Sequence, residues 1–123
     1  MSTFADVYDE LDVSAIRNKV SDISPYVRAR GSSFPAIIFS IPEETFERQS
    51  SGVYRVQAAV EVQCLARSVQ EAEDIADKVL EVVLANCVNY VESITREYDE
   101  AYDDDSVGMF IVNINYLKNY MGA

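Results

Sequence analysis

An alternation of period two across residues 53–65 is the feature that most restricts what this chain can fold into. One parity carries Tyr54, Val56, Ala58, Val60, Val62 and Cys64; the other carries Val53, Arg55, Gln57, Ala59, Glu61, Gln63 and Leu65. Successive side chains of a strand face opposite ways, so the pattern predicts a half-buried antiparallel strand with the first set against the core. Its neighbours in sequence narrow the topology. Ahead of it, the near-continuous apolar run Phe34-Pro35-Ala36-Ile37-Ile38-Phe39-Ser40-Ile41 predicts a strand buried on both faces or at an interface. The polar stretch 42–52 between the two is too long for a tight turn. It predicts an extended, mobile loop or ribbon that projects through Glu43, Glu44, Glu47, Arg48 and Gln49.

Directly behind the alternation, Ser68-Val69-Gln70-Glu71 spells a capping box, in which serine and a glutamate three residues on satisfy orphan N–H groups. The helix it opens has the apolar stripe Val69, Ala72, Ala76, Val79, Leu80, Val83, Leu84 and Cys87. Over residues 79–88 it becomes apolar almost all round, which predicts cover by a further element or subunit. At the N-terminus, Phe4, Val7, Tyr8 and Leu11, then Ile16, Val20 and Ile23, predict a broken helix over residues 4–23 with Ser14 capping its second piece. Ser24-Pro25 ends it, because proline disfavours the α region for the residue before it. Residues 26–33 then read as a loop carrying Arg28 and Arg30. The last third predicts a second hairpin, 91–102 with 107–120, turned by Asp103-Asp104-Asp105-Ser106. The expected fold is therefore α+β, a single domain over residues 1–123. It is a mainly antiparallel four-stranded sheet with two helices packed on it and a long projecting β-hairpin or loop.

At 123 residues and 49% hydrophobic, such a chain buries a core without metal or disulfide support. No stretch approaches the roughly 20 apolar residues of a membrane span. The first residues lack the basic-then-apolar order of a secretory signal, so no membrane contact is expected. The net charge is −11, with 13 acids against 4 bases in residues 61–123. Phosphate binding depends on Lys and Arg displacing counterions, so the balance excludes sequence-specific nucleic-acid binding while allowing DNA to pass close by.

With no histidine, no glycine-rich phosphate loop and no metal-ligand spacing, an enzyme is not expected, nor any cofactor or metal. Cys64 and Cys87 read as buried free thiols of a reducing compartment, with a Cys64–Cys87 disulfide as the alternative. The run Glu97, Asp99, Glu100, Asp103, Asp104 and Asp105 reads as a solvated acidic turn; it lacks the spacing of a calcium loop. Tyr98 with Tyr102, and Tyr116 with Tyr120, share strand parities and mark either an interface or sheet margins. Arg28, Arg30, Arg48 and Arg55 lie in or beside the two long loops, either pairing with acids of a neighbouring subunit or simply solvated.

In this order of features the chain resembles the small tail-completion proteins of long-tailed bacteriophages, the lambda-type tail terminator and related tail-to-head joining proteins. The matching pieces are the 34–39 strand, the polar excursion to Gly52, the strand Tyr54-Arg55-Val56-Gln57-Ala58-Ala59-Val60-Glu61-Val62, the helix start at Ser68, and a closing strand over 109–116. The resemblance implies a structural virion protein, made in the host bacterial cytoplasm and placed in the tail or neck. Its copies would form a ring, usually a hexamer, that terminates the tail tube and joins it to the head. Its partners would be itself, the tail tube protein and a head-completion or neck protein, with DNA passing through unbound. The loop residues Glu43, Glu44, Glu47, Arg48, Gln49, Arg28 and Arg30 would then be subunit or partner contacts. Asp99, Glu100, Asp103, Asp104 and Asp105 would form an acidic lumen or interface. An alternative reading, from a different class, is a dimeric intracellular interaction or regulatory module.

Overall fold

In the computed structural model, which describes residues 3–26, 34–48, 52, 54–100 and 108–122, the alternating segment is the middle strand of a five-stranded sheet. The elements in chain order are α1 (Thr3–Leu11), α2 (Ser14–Arg17), β1 (Asp22–Pro25), β2 (Ala36–Arg48), β3 (Tyr54–Ala66), α3 (Val69–Ala85), β4 (Asn89–Asp99) and β5 (Met109–Gly122). The sheet order is β1-β2-β3-β5-β4; β1 pairs with β2 in parallel and the other three pairs are antiparallel. Strands β3 and β4 consequently run the same way. The chain crosses between them through α3, and β5 inserts in the gap.

The α+β class stands, but the expected four-stranded antiparallel sheet with two helices is corrected to a five-stranded mixed sheet with three. The difference arises at residues 18–25. Ile16, Val20 and Ile23 have helical spacing, yet α2 stops at Arg17. Ser21 N–H then donates to the Pro35 carbonyl at 2.7 Å, and Asp22 to Pro25 line up against Ala36 to Phe39 as a parallel edge strand. Ile23 reaches the core from this strand and Val20 from the connection just ahead of it, neither from a helix. Ser14 is not the cap either: Val13 holds that position, without a side-chain hydrogen bond.

Along β3 the two parities separate as the alternation requires. Val56, Ala58, Val60, Val62 and Cys64 are buried in the main core, Arg55 is exposed, and Gln57, Ala59, Glu61 and Gln63 are half-buried. Helices α1, α2 and α3 contribute Val7, Leu11, Ile16, Ala72, Ile75, Ala76, Val79 and Val83 to that same core. Each fully buried Val, Leu or Ile side chain there stabilises the fold by about 1.5–3 kcal/mol. On the opposite face a small cluster of Ala36, Ile38, Leu65, Met109 and Ile111 packs with Phe34.

Ser68 caps α3: its Oγ accepts from the Glu71 N–H at 3.3 Å. Replacing it with alanine orphans that donor, and a loss of about 1 kcal/mol is expected in a urea melt. The buried stripe is Ala72, Ile75, Ala76, Val79 and Val83, whereas Val69 and Leu84 are exposed. Cys87 is a further correction. Asn86 leaves the helix in an extended conformation, so Cys87 falls outside the stripe and its free thiol is exposed. Cys64 is buried and free; burial first, and the charge of Glu73 second, push its thiol up to about 12.

Candidate functional site

From Pro42 to Arg48 the polar excursion is β-structure. Residues 43–48 continue β2 and pair with β3 from Glu43 opposite Ala59 to Arg48 opposite Tyr54. The register slips between Ser40 and Glu43, where one extra residue on β2 makes a bulge beside Pro42. A bulge of this kind bends the strand and reverses which residues face which side. Before it, Ile37 and Phe39 face the helices; after it, Glu44, Phe46 and Arg48 do, and Glu43, Thr45 and Glu47 face away. β1 leaves β2 at Phe39 and the β4 ladder leaves β5 at Lys118, so among the described residues only β2, β3 and β5 continue. The projection is thus a three-stranded ribbon, one strand wider than a hairpin. From Pro42 to Arg48 it runs roughly 20 Å at strand rise, and every residue along that length of β2 is exposed. Phe46, an aromatic in the midst of charges, is 62% exposed.

At the base of the ribbon lies an apolar groove of about 510 Å³, lined by Phe4, Ala5, Tyr8, Asp9, Pro25, Tyr26 and Phe39. Phe4 and Tyr8 come from one side of α1. The Phe4 ring lies 5.5 Å from Tyr26 and 6.1 Å from Phe39, and Tyr8 lies 6.3 Å from Phe39. Tyr8 is held from outside by Arg17, which donates to its hydroxyl at 2.6 Å and to Asp12 at 2.5 Å. Tyr26, 56% exposed, has φ of 59°, a left-handed conformation that bulky residues rarely adopt. Its backbone N–H donates to Phe39 O and its hydroxyl to Ile41 O, and these bonds hold it there.

A buried polar network fixes α1, the wall of this groove, to the sheet. The Glu10 carboxylate accepts from Lys118 Nζ (3.0 Å), Asn86 Nδ2 (3.1 Å) and Asn89 Nδ2 (3.1 Å) on one oxygen, and from the Tyr116 hydroxyl (3.0 Å) on the other. Both charged side chains are about nine-tenths buried. Burial pushes the Glu10 carboxyl up, but the hydrogen bonds from Lys118, Asn86 and Asn89 and the Lys118 charge outweigh it, leaving it below its ordinary value. Burial, with Glu10 beside it, raises the Tyr116 hydroxyl and keeps it a protonated donor. The network draws on four parts of the chain: α1, the turn after α3, β4 and β5.

Of the anticipated contact residues, Glu43, Glu44, Glu47 and Arg48 lie together on the ribbon; Gln49, Arg28 and Arg30 lie outside the described residues. Arg55 sits opposite Glu47 within the same ribbon. Asp99 and Glu100 are exposed at the end of β4, and Asp103, Asp104 and Asp105 lie outside the described residues. Tyr116 is fully buried while Tyr98 is exposed and packs on Phe110, ring centroids 4.7 Å apart. Leu84, Val88 and Tyr90 are exposed around the end of α3, where further cover was anticipated. A second groove, of about 250 Å³, runs between α3 and the β4–β5 pair, and Glu73 and Arg96 join across it in a two-pronged ion pair. Among the described residues no group of three or more His, Cys, Asp or Glu is placed to hold a metal, and no helix is long and apolar enough to cross a membrane.

Sequence reasoning missed Phe46, the aromatic groove and Glu10. Phe46 carried a signal, being the lone aromatic in an otherwise polar stretch. Glu10 carried none, since its partners lie between 76 and 108 residues away.

No protein-family model matches the chain, and no curated protein is similar to it in sequence. Its fold is similar to that of a solved structure: a chain in the virion of a native gene transfer agent (GTA) particle, at 11% identity and a TM-score of 0.52. The likeness covers 94% of this chain and 92% of that one, so the two share one architecture almost end to end.

Proposed function

We propose that this chain is a structural virion protein whose copies close a hexameric ring at the head-proximal end of a phage tail, terminating the tail tube and joining it to the head or neck. The observation that carries the reading is the fold held in common, over nearly its full length, with a chain of a gene transfer agent virion. The surfaces add support. An exposed ribbon, an aromatic groove at its base, and the apolar residues Leu84, Val88 and Tyr90 give one small domain several separate places to meet neighbours. The net charge of −11 suits a ring through which DNA slides, because like charge keeps phosphates from sticking. The role is structural rather than catalytic, with the tail tube protein and a neck protein as partners.

The reading is tested on tail tubes assembled without their terminator. Added protein is expected to bind one end of each tube and stop its growth, visible by electron microscopy as tubes of arrested length with extra density at one tip. Tubes that lengthen unchanged, with bare ends, contradict it.

A further inference from the structure

We infer that Phe46 of one copy docks into the groove of Phe4, Tyr8, Tyr26 and Phe39 on the next copy, with Arg48 of the first set against Asp9 of the second. The inference deepens the ring reading and rests on it for the presence of a neighbour. Phe46 and Arg48 share one face of the ribbon, the same face on which the groove opens at its base. An aromatic side chain held out on a strand at 62% exposure removes apolar surface from water only if something receives it. Its own groove is out of reach: Phe39 pairs with Val62 and Phe46 with Val56, six residues apart on β3, roughly 20 Å at strand rise. The receiving groove therefore belongs to another copy.

Charge agrees with shape. Arg48 beside the knob and Asp9 on the groove rim carry opposite signs, and neither makes an ion pair among the described residues. The groove also contains a non-glycine residue in the left-handed region, Tyr26, and strain of that kind gathers at ligand clamps and switch segments. Because knob and groove are different patches of one molecule, the contact is head-to-tail. Repetition closes a ring if the rotation allows and runs on as a filament if it does not.

The test is native mass spectrometry and size-exclusion light scattering over a concentration series for the full chain and its variants. Phe46→Ser is expected to weaken association about thirtyfold or more while leaving the thermal melt of the monomer unchanged, since Phe46 is exposed. Tyr26→Asn, which keeps a residue tolerant of the left-handed region, removes the groove's outer wall and is expected to have the same effect. A mixture of the two variants retains one intact knob and one intact groove, so it forms pairs that neither variant forms alone. Arg48→Asp and Asp9→Arg each weaken association, and combining them restores it.

Assemblies that persist in Phe46→Ser, or a charge swap that fails to restore them, overturn this contact and leave the ring itself standing. A wild-type chain that stays monomeric at every concentration also overturns it, and the tail-tube experiment then decides the ring reading separately.

Discussion

Replacing Glu10 with alanine is expected to cost about 3–5 kcal/mol, because it strands the Lys118 ammonium in a site that is nine-tenths buried. Two further donors, Asn86 Nδ2 and the Tyr116 hydroxyl, lose their acceptor at the same time. For a domain of this size the midpoint of a thermal melt should fall by about 10–20 °C. A loss below about 1 kcal/mol would mean that Lys118 swings out to water and that α1 is held by packing alone. The network also sets a pH dependence. Glu10 titrates lower in the fold than in the unfolded chain, so the unfolded state binds more protons as the pH drops. Its contribution is complete above the unfolded carboxylate value, about 4.3, and is lost as the pH falls through the lower, folded one. Glu10→Gln should therefore be less stable than wild type at neutral pH, and the gap should narrow below about pH 4.

Val62→Asp should abolish folding altogether. Val62 is fully buried, aligned between Phe39 of β2 and Ile114 of β5 on the face that receives the helices. An unpaired carboxylate there lies at the severe end of single-substitution effects, above about 4 kcal/mol, a large part of what holds a domain together. Circular dichroism should show no cooperative transition, and the variant should accumulate as insoluble protein. The same change at Gln63, one residue on and facing the other way, should be tolerated. A soluble Val62→Asp variant with a cooperative melt would contradict the assignment of faces along β3.

The parts of the fold that were legible are those whose signal is local. Val56 to Cys64 alternate because one side of β3 meets α3 and the other does not, and that asymmetry is written residue by residue. Ser68 with Glu71 marked the start of α3 through a bond spanning three residues. Residues 20–25 were illegible because β1 exists only by pairing with Ala36 to Phe39, fourteen residues further along the chain. Nothing in Asp22-Ile23-Ser24-Pro25 distinguishes an edge strand from the tail of a helix. The polar stretch concealed a strand for a related reason: Glu43 to Arg48 face solvent on both sides, so no alternation reports their pairing with β3. The ribbon charges were legible as exposed residues, whereas the aromatic groove needs α1, β1 and β2 brought together in space. Glu10 looked like one more acid on a helix, and only the approach of β5 gives it Tyr116 and Lys118.

If copies of this chain close into a ring as proposed, the assembly is visible in negative-stain electron microscopy of the purified protein over a concentration series, with native mass spectrometry beside it. Closed hexameric rings with a central hole wide enough for duplex DNA are expected, growing in population with concentration. A fixed two-fold dimer at every concentration would contradict it, because a closed dimer offers no end on which a third copy, or a tail tube, can build.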